Sequence, residues 1–127
     1  MADELLQEFD PKVIKGYHAH VYYRDSKERE HAAKIRDAVP ELFEVVMGRW
    51  RDEPVGPHPL PMYQMAFEVG IFQDFVSWLQ SVRGSLSILV HASTGTSDYI
   101  DHSVGAMWLG ESVNLKLDFF DREGKSA

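Results

Sequence analysis

Six histidines and no cysteine define the chemistry open to this 127-residue chain. Disulfides, thiolate metal sites and cysteine nucleophiles are excluded. A transition metal would have to be held by imidazole, carboxylate and water, a donor set suited to Fe(II), Mn(II) or Zn(II). His18 and His20 stand two positions apart in "GYHAHVYY" (16–23), where aromatic and β-branched types alternate with polar ones as in a strand. Residues two apart leave a strand on one face, so both rings point the same way. They fill space, make hydrogen bonds or hold an ion. His91 lies in "SLSILVHAS", and His58 lies in "GPHPLP", where the flanking prolines restrict its backbone. His102 follows Asp101 in "SDYIDHS", a carboxylate beside an imidazole that could serve proton transfer or orient a ligand. His31 sits on the polar part of a charged helical stretch and reads as solvated.

Other chemistries find less support. No G-x-x-x-x-G-K-[ST] phosphate loop and no G-x-S-x-G elbow occurs, which leaves nucleotide binding and serine hydrolysis without a motif. The formal net charge is −7, which argues against a nucleic-acid partner. No apolar run approaches the ~20 residues of a membrane span. The start, "MADELLQEFDPK", is acidic where a signal peptide would be basic and then apolar, so a cytoplasmic location is expected. With 44% hydrophobic and 12% aromatic residues, the chain has enough apolar surface for one core. We read 1–127 as one domain, with 1–12 an N-terminal extension and 121–127 a disordered tail.

The elements that must position these side chains follow from periodicity. After the first strand (16–23), Asp25 or Ser26 caps a helix through about Ala38, and Pro40 marks its end. Residues 42–50 read as a second strand. The stretch 51–61 holds four of the six prolines and is irregular. Residues 62–69 alternate as a third strand. Residues 71–83 carry Ile71, Phe72, Phe75, Val76, Leu79 and Val82 at helical spacing, closed by Gly84. Residues 85–93 make a fourth strand, 93–103 a small-residue loop, and 106–120 a hairpin turning at Gly110–Ser112. The fold class is therefore α+β: a ferredoxin-like βαββαβ antiparallel sheet with a C-terminal β-hairpin extension, strand order 4-1-3-2 and both helices on one face. The other face must be covered by the hairpin, a second subunit, or both.

Apolar alternation sends Tyr17, Ala19, Val21, Tyr63, Met65 and Leu86, Ile88, Val90 to the helix side. His18, His20, Tyr22, Glu68 and His91 then share the open face. The first strand lies antiparallel between the third and fourth, so His18 and His20 come close to His91 on one side and Glu68 on the other. Two or three histidines and a carboxylate would suit a mononuclear Fe(II) or Zn(II) site. Glu68 is a ligand or a solvated strand-end carboxylate. His58 should lie at the opposite end of the sheet, out of reach of the same ion unless its loop folds back. It is an acid–base or substrate-binding candidate, or a surface residue in a stiff loop. In the loop after His91, hydroxyls such as that of Thr94 could approach a ligand.

Taken together, "GYHAHVYY", "GPHPLPMYQMAF" and "LSILVHASTGTSDYIDHSVGAMWLG" are similar to the small DOPA 4,5-dioxygenase family of bacteria and fungi, from about Gly16 to Gly110. The resemblance implies a ferredoxin-like homodimer with extradiol ring-cleaving activity on catechols such as DOPA, using non-haem Fe(II) and O2, although Zn or another divalent metal could occupy the site as purified. It places His18, His20, His58, His91 and His102 within matching segments. The motif departs at Ala92, where a proline would be expected after the histidine. The expected assignment is His18, His20 and His91 as ligands with Glu68 the alternative, His58 and His102 as acid–base residues, and His58, Tyr22 and Thr94 at the substrate. Rival readings are a non-catalytic dimeric binder of a small aromatic ligand or metal, and a zinc hydrolase or isomerase.

Overall fold

The computed structural model of the protein describes residues 6–120, so the expected tail 121–127 and the first five residues of the extension lie outside the described residues. A 3₁₀ turn, Pro11–Val13, precedes β1 (Gly16–Tyr22). There follow α1 (Ser26–Leu42), β2 (Val46–Arg51), β3 (Met62–Glu68), α2 (Phe72–Val82), β4 (Ser87–Ser93), α3 (Asp98–His102) and β5 (Ala106–Leu109). The strands form one antiparallel five-stranded sheet in the order β2-β3-β1-β4-β5, so the first four lie in the expected order. The α+β arrangement is compatible with a ferredoxin-like fold. No helix among the described residues is long and apolar enough to cross a membrane.

β1 is the central strand, pairing Tyr17 with Phe67 of β3 and His18 with His91 of β4. Both neighbours saturate its backbone groups, which makes it the most constrained platform in the molecule. Its odd-numbered residues Ala19 and Val21 join Tyr63, Met65, Ile88 and Val90 in the main core. The helices close that core with Ala32, Ile35 and Val39 of α1 and Phe75 and Leu79 of α2, at three- and four-residue spacing. The even-numbered residues face the other way, where Tyr22, Met62 and Leu89 nucleate a second, smaller cluster.

Four expectations about the elements need correction. Pro40 does not end α1, which runs to Leu42. A proline in the last turn withdraws only one donor, and the turn continues to the Phe43 amide, which donates to the Val39 carbonyl. Phe43 then packs against Phe75 and Trp78, and that burial draws the chain on in helical form. The second strand consequently starts at Val46, not 42. The 93–103 loop contains α3, started by Ser97, whose hydroxyl accepts from the Ile100 amide. The C-terminal hairpin is also not formed. β5 pairs with β4, but the chain leaves the sheet at Gly110 (φ 84°), and 110–117 carry no strand. There Val113 and Leu115 turn onto the Tyr22–Met62–Leu89 cluster, so covering the apolar face wins over pairing at an exposed edge.

His31 is likewise not merely solvated: its Nε2 donates to the Val82 carbonyl at the end of α2, 2.6 Å away. That satisfies one of the helix's orphan carbonyls and ties the two helices together.

Candidate metal centre

Two segments approach the open face from opposite ends of the sheet and meet over His20. From the Tyr22 end comes the proline-rich connection 52–61. His58 forms a bridge with Val55, its amide donating to the Val55 carbonyl, and the Lys116 amide donates to the Pro57 carbonyl at 2.7 Å. This folds the loop back across the sheet, so the expectation that His58 would lie beyond reach is corrected. Its ring centroid is 4.5 Å from that of His20. Prolines lower the entropy lost in ordering such a loop, and the C-terminal segment gives it a backbone partner.

From the other end comes α3. The buried Asp101 carboxylate accepts from both the hydroxyl (2.7 Å) and the amide (3.2 Å) of Thr94, locking the short helix to the end of β4. His102, in its last turn, then stands with its ring 4.2 Å from that of His91 and 5.9 Å from those of His20 and His58. Five imidazoles thus converge. His18, His20 and His91 form one group with ligand atoms all within 4.8 Å of one another, and His20, His58 and His102 form a second.

Hydrogen bonds fix which ring nitrogen carries the proton, because a carbonyl can only accept. His91 Nδ1 donates to the Ala92 carbonyl (2.9 Å) and His102 Nδ1 to the Asp98 carbonyl (2.8 Å), leaving a lone pair on each Nε2. His20 Nε2 lies 3.1 Å from His91 Nε2. Two nitrogens each about 2.0–2.1 Å from one ion at a right angle would be about 3 Å apart, so this pair has the spacing of neighbouring ligands. His20 Nδ1 is buried and has no hydrogen-bond partner among the described residues. A buried ring nitrogen left unpaired is uncommon in a protein interior.

The electrostatics agree. Burial lowers the pKa of every ring in the cluster, and next to it a neighbouring imidazole lowers that of His18, His20, His58 and His91. His91 is pushed down to about 3 by burial and His102, and His58 to about 4 by the same two causes. His20 falls well below the ordinary histidine value through burial and the proximity of His58. His18 and His102 are lowered more gently, by burial first. All five are neutral at pH 7, the form a metal needs. The residues therefore fit a divalent ion with nitrogen ligands.

His20 and His91 are each only 2% exposed, while His18 and His102 are half-buried, so a molecule arriving from solvent meets the latter two first. Glu68 is not brought into the cluster. It is exposed, opposite Gly16 at the end of β3, and belongs to neither group among the described residues. Thr94 is 2% exposed and spends its hydroxyl on Asp101, so it faces α3 rather than the imidazoles. The Asp101 carboxylate is taken up by Thr94 and makes no hydrogen bond to the His102 ring beside it in sequence among the described residues. Tyr22 is buried below His58, its hydroxyl 2.7 Å from His58 Nδ1. Phe120 escaped the sequence reading: its ring is buried 4.7 Å from that of His102 and closes one side of the site. The only signal was an aromatic pair, "DFFD", in an otherwise charged segment.

A profile of the Dopa 4,5-dioxygenase family matches residues 17–119, a span that includes all five clustered histidines. The chain is 36% identical over 112 residues to the "DOPA 4,5-dioxygenase" of Amanita muscaria, a match covering 82% of this chain and 49% of that protein, about half of its length. It is 32% identical over 133 residues to an uncharacterized 21.2 kDa protein of Botryotinia fuckeliana, covering 94% of this chain and 71% of the other. Its fold matches the crystal structure of a "putative dioxygenase" from Nostoc punctiforme with a TM-score of 0.86 and 43% identity, over 91% of this chain and 99% of that one. The chain belongs to the Dopa 4,5-dioxygenase family.

Proposed function

We propose that this protein is an extradiol ring-cleaving dioxygenase of catechols that uses a histidine-bound non-haem metal, Fe(II), together with O2. The observation that carries this reading is the pair of imidazole groups sharing His20, with the His20 and His91 Nε2 atoms at ligand spacing and a neutral second pair of histidines beside them. His18, His20 and His91 would hold the ion, which supplies a redox centre able to bring catechol oxygens and O2 together. The chain's own residues do the rest. His102 presents an Nε2 lone pair toward the cluster and, being half-exposed, is placed to take a proton from an entering catechol. His58, buried and neutral, is the second proton-transfer group. Phe120 and the C-terminal segment limit water at the reacting face, while Tyr22 and Trp108, with ring centroids 5.8 Å apart, form an aromatic floor. The homodimer and the cytoplasmic location belong to the same reading.

The test is anaerobic loading with Fe(II), followed by O2 uptake with a panel of catechols. Oxygen consumption with a yellow ring-cleavage chromophore is expected. Tight catechol binding without oxygen consumption would overturn the reading in favour of a non-catalytic binder. Turnover with zinc and no oxygen would overturn it in favour of a hydrolase or isomerase.

A further inference from the structure

We propose that Tyr22 holds His58 in the tautomer that carries its proton on Nε2, so that His58 faces the site as a hydrogen-bond donor and is not a metal ligand. Distance alone does not say this, since His58 lies within ligand range of His20 and His102. Counting hydrogens does. Tyr22 is fully buried, and His58 Nδ1 at 2.7 Å is the partner of its hydroxyl among the described residues. The phenol has one hydrogen and must place it. Were His58 to donate from Nδ1, the buried phenol hydrogen would be left with no acceptor among the described residues. With the phenol donating, what remains unfilled is only a lone pair on oxygen, the cheaper of the two deficits. Nδ1 is then the acceptor, and the ring's single proton sits on Nε2.

The contrast with the other rings is instructive. His91 and His102 each give their Nδ1 hydrogen to a backbone carbonyl and keep a lone pair on Nε2. A carbonyl partner thus prepares a ring to bind a metal or accept a proton, and a phenol partner prepares one to deliver a proton. His58 is set apart from His91 and His102 by its support, not by its spacing. Tyr22 is then a positioning residue, acting through His58. The catalytic meaning of the division rests on the dioxygenase reading; the tautomer itself does not.

Long-range 1H–15N correlation spectra of the metal-free protein, labelled in histidine, read the tautomer of each ring directly, and His58→Gln identifies which set belongs to His58. The expected result is Nε2–H for His58 and Nδ1–H for His91 and His102, with a mixture at His58 in Tyr22→Phe. An Nδ1–H form of His58 in the wild type, or an unchanged His58 pattern in Tyr22→Phe, overturns the proposal. In the iron-loaded protein Tyr22→Phe should keep its metal and its KM for catechol while kcat falls roughly 10–100-fold. A fall in metal content of the His58→Gln variant would also overturn it. If the spectra come out as expected but iron-loaded wild type consumes no oxygen with any catechol, the His58 assignment stands and the dioxygenase reading is the one that fails.

Discussion

The clustered rings differ in what stands on the second nitrogen: a carbonyl at His91 and His102, a phenol at His58 and no partner among the described residues at His20. Removing His20 or His91 should abolish metal retention while the sheet survives: His20→Ala and His91→Ala are expected to contain no bound iron by elemental analysis after loading and desalting. His58→Ala should keep the metal and lose rate by about 10²–10⁴, the usual worth of a general acid or base. The cluster also makes the metal-free protein sensitive to acid. The unfolded chain takes protons on its histidines below about pH 6.5, whereas the folded protein resists until about pH 4 at His58 and about pH 3 at His91. The unfolded state therefore binds more protons as pH falls from 6.5 toward 4, and stability declines over that window, by about 2 kcal/mol for each of these two residues at pH 5. Urea midpoints measured in chelator at pH 7 and pH 5 should show the loss, and His58→Gln should show less of it. At this scale the sequence was informative wherever strand parity decides direction. His18, His20 and His91 could be placed on one face because alternation with Ala19, Val21 and Val90 leaves no other choice. Glu68 shared the parity, but it stands one pair beyond the cluster, where β3 gives way to the next turn.

The elements that were easy to read are those with a period. β1, β3, β4 and α2 bury apolar residues at spacing 2 or 3–4, and their ends fell close to expectation. The segments that complete the site have no period. The loop carrying His58 is a run of prolines whose route is fixed by the Pro57–Lys116 bond, a contact between residues far apart in sequence. α3 is built from Ser97, Asp98 and Asp101, residue types that serve loops and helix starts equally well. The Asp101–Thr94 clasp is open to test. Asp101→Ala leaves the buried Thr94 amide without an acceptor and its hydroxyl with Thr96 alone, which should cost about 1–3 kcal/mol and free His102 to move, visible as a lower melting temperature together with a lower kcat. On the helix side, Gly84 closes α2 at φ 57°, and a Cβ there would meet the His31 ring at 2.6 Å. Gly84→Ala should cost at least the ~1–2 kcal/mol of the left-handed backbone, measured by urea denaturation, without changing metal content.

At the scale of the molecule, the sheet has two faces with opposite duties. One is sealed by α1 and α2 and carries the main core; the other bears the histidine cluster and is roofed, among the described residues, by the proline loop, α3 and the segment from Val113 to Phe120. The need for some cover follows from a single sheet with helices on one side, and a hairpin, a second subunit or both would meet it. In place of a hairpin the chain uses an irregular strap, since what must be hidden is the Tyr22–Met62–Leu89 patch and not the sheet's edge. Ending the chain after Glu111 should therefore expose that patch, bind a hydrophobic dye and release the His58 loop, while far-ultraviolet circular dichroism keeps its sheet signal. The division of the rings between platform and roof has a temporal counterpart. His18, His20 and His91 ride on two strands laced together along their full length, whereas His58 and His102 hang from a handful of bonds at the margins. Amide exchange should find the roof opening many times for each opening of the platform. On the assignment proposed above, a molecule built this way would swing its proton-handling groups aside to admit or discharge a guest and never loosen its hold on the ion.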